Sequence, residues 1–546
     1  MTNPYQPQNA LINIILEPVG ARMQVKAGTT LLACAQEAGI ELNAVCAGNG
    51  TCGMCKVMIK DGKVSPLSTE ERALLGEQEI KAGTRLACQT LALSDCRVQF
   101  PPETLATLQR LQLEGRELRV GVDNEFMSQP GACGLAVDIG TTKIAGFLVD
   151  LQNGITLASG GVTNPQIAYG EDVISRILYA DQHENGRDEL QRCLVDSINK
   201  LLLDLCEKAG VTTEQVVDGV MVGNTVMHHL LVGIPVHSLG VVPYSPGQIE
   251  AMRFPADSIG LKLNPEAEVY LPPNIAGFVG GDHIAMLLAT QAYEMKQTVI
   301  ALDIGTNTEI SLVHQGKHWA CSCASGPAFE GAHIRHGMRA IPGAIERFKI
   351  SDGKNQVLTI GKKAAIGICG SGILDVVAEL RKAGIVDKRG AFKTGDQRLL
   401  IENGKARYVL VSADQSGHGR EITVDRPDVN EIQLAKAAIR SGVEILIRTA
   451  GIDIDDIAKF LVAGAFGTYL DIGNAVSIGM FPRITMEKFQ QVGNAAGSGA
   501  RMMLISQQQR RIAERLGGHV QYLELAGSKD YGDVFMRAIA LEEITS

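Results

Sequence analysis

LAVDIGTTKIAGFLVD (residues 135–150) and IALDIGTNTEISLVHQ (300–315) are two copies of one pattern. Each has an apolar strand, then Asp-Ile-Gly-Thr, then a second apolar strand. The aspartates, Asp138 and Asp303, stand 165 positions apart, a spacing that fits two related lobes and not a solenoid. A turn of this kind behind a buried strand sets backbone N–H groups and a hydroxyl against phosphate, while the aspartate holds magnesium or its water. One such turn is equally an ordinary strand-to-turn glycine; two, with strands on both sides, carry far more. A third element follows at LVAGAFG (461–467), where an apolar strand ends in a Gly-Ala-Phe-Gly turn suited to close approach by an adenosine. From Leu135 onward apolar strands alternate with long helical patterns such as RDELQRCLVDSINKLLLDLCEKAG (187–210), which argues an α/β architecture.

The whole chain, 546 residues long, has room for two to four domains. Its composition is that of a soluble globular protein, 45% hydrophobic and 20% charged. A net charge of -9 argues against nucleic acid, which needs a basic footprint. No apolar run approaches twenty residues, and MTNPYQPQNA lacks the layout of a signal peptide, so a cytoplasmic protein with no membrane partner is expected. Twelve cysteines in a reducing compartment then read as metal ligands or buried small hydrophobes.

Residues 1–100 read as a small β-rich domain. LINIILEP and ARMQVKAG are short strands, TTLLACAQEAGI (29–40) has helical spacing, and Ser68 with Glu71 forms a capping-box start for a short helix. RLACQTLAL and CRVQF close the domain. Residues 101–130, polar and bounded by Pro101-Pro102 and Pro130, read as a partly ordered linker. The first lobe is expected over 131–296 and the second, with the adenosine turn, over 297–546.

The N-terminal domain carries VCAGNGTCGMCKV (45–57), which places Cys46, Cys52 and Cys55 among glycines; Cys88 in RLACQT is the fourth candidate. The spacing is C-x5-C-x2-C, with 32 further residues before the fourth cysteine. Such glycines permit a wrap in which N–H groups face cluster sulfurs. Structural zinc also takes four thiolates, but zinc sites usually pair two CxxC knuckles and this chain has one. The loop resembles that of 2Fe–2S ferredoxins of the adrenodoxin-like spacing. This resemblance spans about residues 9–100 and implies a β-grasp domain with a 2Fe–2S cluster on the four cysteines.

The paired DIGT loops and the GAFG turn together resemble the acetate and sugar kinase, heat-shock chaperone and actin superfamily, over about 131–546. The resemblance implies two RNase H-like lobes with ATP and Mg2+ in the cleft. Asp138, Gly140, Thr141, Thr142 and Lys143 then belong to the first phosphate loop, and Asp303, Gly305, Thr306 and Asn307 to the second. Gly464 and Gly467 flank the adenosine, and Asp138 or Asp303 serves hydrolysis. Glu309 points either into the cleft or into the next strand. Ser371 in ICGSGILD (368–375) is a further candidate beside the ligand; the stretch reads equally as a tight strand-to-helix turn. His228 and His229, about 100° apart on a probable helix, cannot chelate one metal from the same face. His283, His333 and His336 read more readily as satisfied or solvated histidines, and Cys321 with Cys323 as buried rather than a redox pair.

A ferredoxin, a linker and an actin-like ATPase in one chain resemble the reductive activators of corrinoid-dependent enzymes. The matching residues are CAGNGTCGMC, ACQ (87–89), DIGTTK, VGNTVMHHLL (222–231), DIGTNTE and GAFGTYLD. The resemblance implies ATP-dependent delivery of one electron from the 2Fe–2S cluster to cobalt(II) of a partner corrinoid protein of a methyltransferase system. Further implied partners are an electron-donating reductase or ferredoxin, and a second copy in a homodimer. The chain lacks a C-terminal CxxCxxC cluster and the Asp-x-His-x-x-Gly signature of corrinoid-binding domains, so the corrinoid is expected on the partner. Two other readings stand beside this one: a small-molecule kinase with a redox-sensing appendage, and an actin-like scaffold or redox sensor.

Overall fold

The computed structural model describes residues 11–17, 20–38, 40, 42, 53, 55–101, 104, 120–331, 333–393, 395–402 and 404–542. Cys46, Cys52 and residues 105–119 lie outside the described residues.

In the N-terminal domain, Leu11–Glu17 alternates strictly at first: Leu11 and Asn13 face solvent while Ile12, Ile14 and Leu16 are buried. That period of two places one face on a core. The five-stranded sheet runs in the order Ala21–Lys26, Leu11–Glu17, Cys96–Gln99, Lys56–Asp61, Thr84–Leu86. Leu11–Glu17 pairs antiparallel with Ala21–Lys26 and parallel with Cys96–Gln99. The helix Leu31–Glu37 starts at Thr30, whose hydroxyl accepts from the Ala33 amide. The expected capping box opens the helix Thr69–Leu74, with both Ser68–Glu71 bonds formed.

The two DIGT patterns form equivalent hairpins within two six-stranded sheets. Cys133–Ile139 pairs antiparallel with Lys143–Asp150, and Thr298–Ile304 with Thr308–His314. In each sheet the first of these strands also pairs in parallel with a later strand, Val216–Gly223 in one and Ile457–Ala463 in the other. Both DIGT turns therefore emerge beside the C-terminal end of a parallel neighbour, at a cleft between the sheets. The long helix expected at 187–210 runs Gly186–Ala209 and ends on Gly210 in the left-handed conformation.

Helices Gly281–Thr290 and Ala495–Ile505 pack against one another between the sheets, and each begins at the cleft. The second comes from the C-terminal region yet leans on the first sheet, with Leu504 against Gly134. The end of the expected linker is laid onto the same layer. Asp123 N donates to Ile505 O at 3.0 Å, the buried Asn124 side chain donates to Leu151 O at 2.8 Å, and Val120, Val122 and Phe126 pack on the inter-sheet core. Among the described residues no helix is long and apolar enough to cross a membrane.

The ferredoxin-like domain docks on both lobes. Its core continues into Met338, Ile341, Ala344, Ile360 and Cys369 of the second lobe. Glu17 pairs with Arg339 at 3.4 Å, both nearly buried, and Glu37 pairs with Arg420. On the first lobe, Glu171 takes Arg22 at 2.8 Å and Arg97 at 3.4 Å, and the Lys60 ammonium sits 5.2 Å from the centre of the Tyr169 ring.

Candidate nucleotide cleft and cluster site

A 250 Å³ cavity lies between the lobes, and its walls include Asp138, Thr142, Lys143, Asp303, Thr306 and Gly464. Gly140, Thr141, Gly305, Asn307 and Ser371 line it too. The structure thus brings nearly all the expected nucleotide residues to one place. Gly467 lies outside that lining, in the turn behind it, where a Cβ would stand 2.9 Å from a Val462 methyl.

The first loop is fixed from behind. The side-chain amide of Asn164 donates to Gly140 O at 2.9 Å, and the fully buried Arg176 donates to Thr141 O at 2.5 Å. Asn224, which caps the helix Thr225–Val232, donates to the Thr141 hydroxyl at 3.1 Å. Here VGNTVMHHLL finds its use: a strand end and a helix cap hold the loop. His228 and His229 face the packing behind it, where the His229 ring bonds Thr225 O and the Gly247 amide. In the second loop the Ser325 hydroxyl meets the Thr308 hydroxyl at 2.9 Å and Thr306 O at 3.3 Å. The adenosine turn closes against it: Gly464 has φ +89°, and Phe466 stacks on Phe329 with centroids 4.4 Å apart.

Four carboxyl groups cluster on the cleft wall, Glu309 buried and Asp138, Asp282 and Asp303 half-buried. Burial pushes Asp138 up to about 6, against a 3.0 Å hydrogen bond donated by Asn494. Burial and then Asp138 push Asp303 up to about 7. Asp282 and Glu309 are raised by burial and by the neighbouring carboxylates. Glu309 lines the cavity, which settles the direction left open by the sequence. Asp282 was not legible as a site residue; its signal was the Gly280-Gly281-Asp282 entry into a helix, the counterpart of Asn494 before the other inter-sheet helix. Lys143 is lowered to about 8, first by burial and then by Arg339.

Ser371 occupies the first turn of the helix Gly370–Lys382, with its hydroxyl donated to Glu346 O at 3.0 Å. It is both cavity wall and strand-to-helix turn, and its proton already has an acceptor.

In the ferredoxin-like domain Cys55 and Cys88 bring their sulfurs to 3.4 Å. That is far beyond a disulfide bond of 2.0–2.05 Å and suits two thiolates facing a common metal group. The strands arrange this: Ala87 N donates to Cys55 O at 2.8 Å, joining the two ligand segments. Behind them the fully buried Glu71 accepts from Arg85, the Leu86 amide and the Thr90 hydroxyl, all at 2.8–2.9 Å. Burial alone would raise Glu71, but the Arg85 guanidinium and the surrounding amides hold it below the usual carboxylate range. None of the described cysteines is in a disulfide.

Known proteins match nearly the whole length of this chain. The family models matched are "2Fe-2S iron-sulfur cluster binding domain" over 14–93, "RACo middle region" over 133–295 and "C-terminal domain of RACo the ASKHA domain" over 297–546. The corrinoid activation enzyme RamQ of Eubacterium limosum is 31% identical across 91% of this chain and 94% of its own. The [Co(II) methylated amine-specific corrinoid protein] reductase of Methanosarcina barkeri is 25% identical across 74% of this chain and 76% of its own. A solved structure, the reductive activator for corrinoid,iron-sulfur protein, superposes with a TM-score of 0.71 at 30% identity, covering 97% of this chain and 98% of that one. With the 2Fe-2S domain, the middle region and the ASKHA domain all matched in order, and a relative 31% identical over nearly the whole length, the chain belongs to the family of corrinoid-protein reductive activators.

Proposed function

We propose that this protein activates a partner corrinoid protein, delivering one electron to cobalt(II) and regenerating cobalt(I) for methyl transfer at the cost of ATP. The observation that carries this reading is a ferredoxin domain with paired thiolates seated on both lobes of an ATP cleft. The relatives' names point to corrinoid proteins as substrates.

The cluster supplies single electrons at low potential, roughly -400 mV in plant-type ferredoxins. Cys46, Cys52, Cys55 and Cys88 would hold it. An unfavourable gap of about 100 mV costs a one-electron transfer about 2.3 kcal/mol, within the 1–3 kcal/mol of typical allosteric coupling. Thr141, Thr142, Thr306 and Lys143 would bind the ATP phosphates; Gly464 would admit the adenosine. The four clustered carboxyls suit Mg2+, which takes one or two carboxylates and fills its shell with phosphate oxygens and water. An electron-donating reductase or ferredoxin would refill the domain between turnovers.

A small-molecule kinase would keep the cleft but leave the ferredoxin domain unexplained, and the full-length family match favours activation. The deciding experiment follows cobalt(II) to cobalt(I) by absorbance on candidate corrinoid proteins. Reduction is expected with ATP and the intact chain, and not with Asp303→Ala. Equal rates with and without ATP would sink the coupling.

A further inference from the structure

Glu330 stands between the two phosphate loops. Its carboxylate accepts from the Thr142 hydroxyl at 2.7 Å and from the Thr306 hydroxyl at 2.5 Å, while those hydroxyls are 3.4 Å apart. One carboxylate thus takes the side-chain donors of both loops, the same donors a phosphoryl group bridging them requires. Two anions cannot share them.

The backbone next to Glu330 leads straight to the ferredoxin domain. Gly331 and Met338 meet again backbone to backbone and close a neck: a Cβ on Gly331 would lie 2.5 Å from the Met338 amide nitrogen, and one on Gly337 would overlap Gly331 O. Only glycine permits that contact, so Glu330 and Arg339 are held side by side at the two ends of the neck. Arg339 also lines the cleft, and its guanidinium pairs with Glu17 at the end of the ferredoxin strand Leu11–Glu17. Glu330, the glycine neck and the Arg339–Glu17 pair therefore stand in line between the phosphate loops and the docked domain. That domain is tied at the same time to the first lobe through Glu171.

We propose that Glu330 is a phosphate-displaced plug: a nucleotide phosphoryl group expels its carboxylate from Thr142 and Thr306, and the displaced neck draws Arg339 from Glu17, loosening the ferredoxin domain from the second lobe. This rests on the reading of the cleft as an ATP site, and it supplies the means by which ATP frees the domain to meet a partner. Linkage makes the effect reciprocal: if ATP weakens docking, docking weakens ATP binding by the same factor.

The test uses the full-length protein, with Mg·ATP affinity measured by calorimetry and amide hydrogen exchange followed by mass spectrometry. In the parent, ATP should raise exchange in Leu11–Glu17 and around Arg339. Glu330→Gln, which removes the competing charge, should bind ATP about tenfold tighter, and ATP should change exchange there much less. Glu17→Gln, outside the cleft, should show raised exchange with or without ATP and should bind ATP tighter as well. If the parent binds no ATP, the cleft reading falls and this proposal with it. If it binds ATP but exchange near Glu17 does not respond, or if Glu330→Gln keeps parental affinity, the plug is wrong and the cleft stands. Loss of hydrolysis by Glu330→Gln at unchanged affinity would make it a base instead of a plug. Should Glu330→Gln fail to fold, an unchanged ATP affinity in Glu17→Gln overturns the proposal.

Discussion

Asn494 donates its side-chain N–H to Asp138 Oδ2 at 3.0 Å, across 356 positions of sequence. The same asparagine caps the inter-sheet helix Ala495–Ile505, its carbonyl oxygen accepting from Gly497. One residue therefore caps a helix start and opposes the upward shift that burial imposes on the first phosphate-loop aspartate. Asn494→Ala should weaken Mg·ATP binding about tenfold or more, since a hydrogen bond to a charged group contributes about 1.5–3 kcal/mol. Loss of the cap should cost about 1 kcal/mol of stability. Titration calorimetry checks the first and chemical denaturation the second. An unchanged affinity would remove Asn494 from the site.

Cys55→Ser and Cys88→Ser should each abolish stoichiometric iron and the visible absorption of the purified protein while leaving Mg·ATP affinity intact. The reason is spatial: the sulfurs meet at 3.4 Å on one side of the ferredoxin sheet, away from the cleft wall. Iron analysis and absorbance decide it. Stoichiometric zinc without iron in anaerobically prepared parent protein would overturn the cluster.

Glu71→Gln should destabilise the ferredoxin domain by about 3–5 kcal/mol, the cost of breaking a buried ion pair from one side. Glu71 is fully buried, and Arg85 would lose its carboxylate partner. Because Glu71 fixes the turn that carries Cys88, the variant should also release iron faster on mild heating. The readout is the rate of bleaching, compared with Cys88→Ser as the fully bleached reference.

Gly464→Ala tests the adenosine turn. The residue has φ +89°, and a Cβ would stand 2.5 Å from Ile304 O and 2.7 Å from an Asp303 carboxylate oxygen. The substitution pushes the adenosine turn off the second phosphate loop, so ATP affinity should fall while the ferredoxin absorption stays. Equal affinity in variant and parent would show that the two loops need not touch.

How much of this was legible beforehand depends on where each interaction lies along the chain. The DIGT repeat, the capping box at Ser68 and Glu71, and the helix ending at Gly210 are local, and local chemistry specified them. The direction of Glu309 was not, because it depends on strand register: Asp303 pairs directly with Glu309. Asp282, Glu330 and Asn494 escaped notice because each meets its partner only after distant segments assemble. The polar composition of 120–130 reads as tether, yet Asn124 uses its amide to bind two carbonyls and is buried. Polar residues that satisfy backbone groups look, in sequence, like residues that satisfy water.

Acid should destabilise the first lobe through His228. Burial, helped by the adjacent His229, pushes its imidazole down to about 3, whereas the unfolded chain takes up a proton near 6.5. The stability this neutral ring confers is thus complete above pH 6.5 and declines as the pH falls toward 3, by about 1.4 kcal/mol per pH unit. Asp138 and Asp303 act in the opposite sense: with carboxyls raised to about 6 and about 7, the folded protein holds protons that the unfolded chain has released. The net pH profile therefore conceals the histidine, and a variant is needed to expose it. His228→Leu keeps an apolar side chain on the helix Thr225–Val232 and removes the titrating ring. Urea denaturation at pH 7.5 and 5.5 should show the parent losing about 1.4 kcal/mol more than the variant between the two, the share of one pH unit below 6.5. Superimposable losses would mean that the ring is solvated or charged in the folded protein.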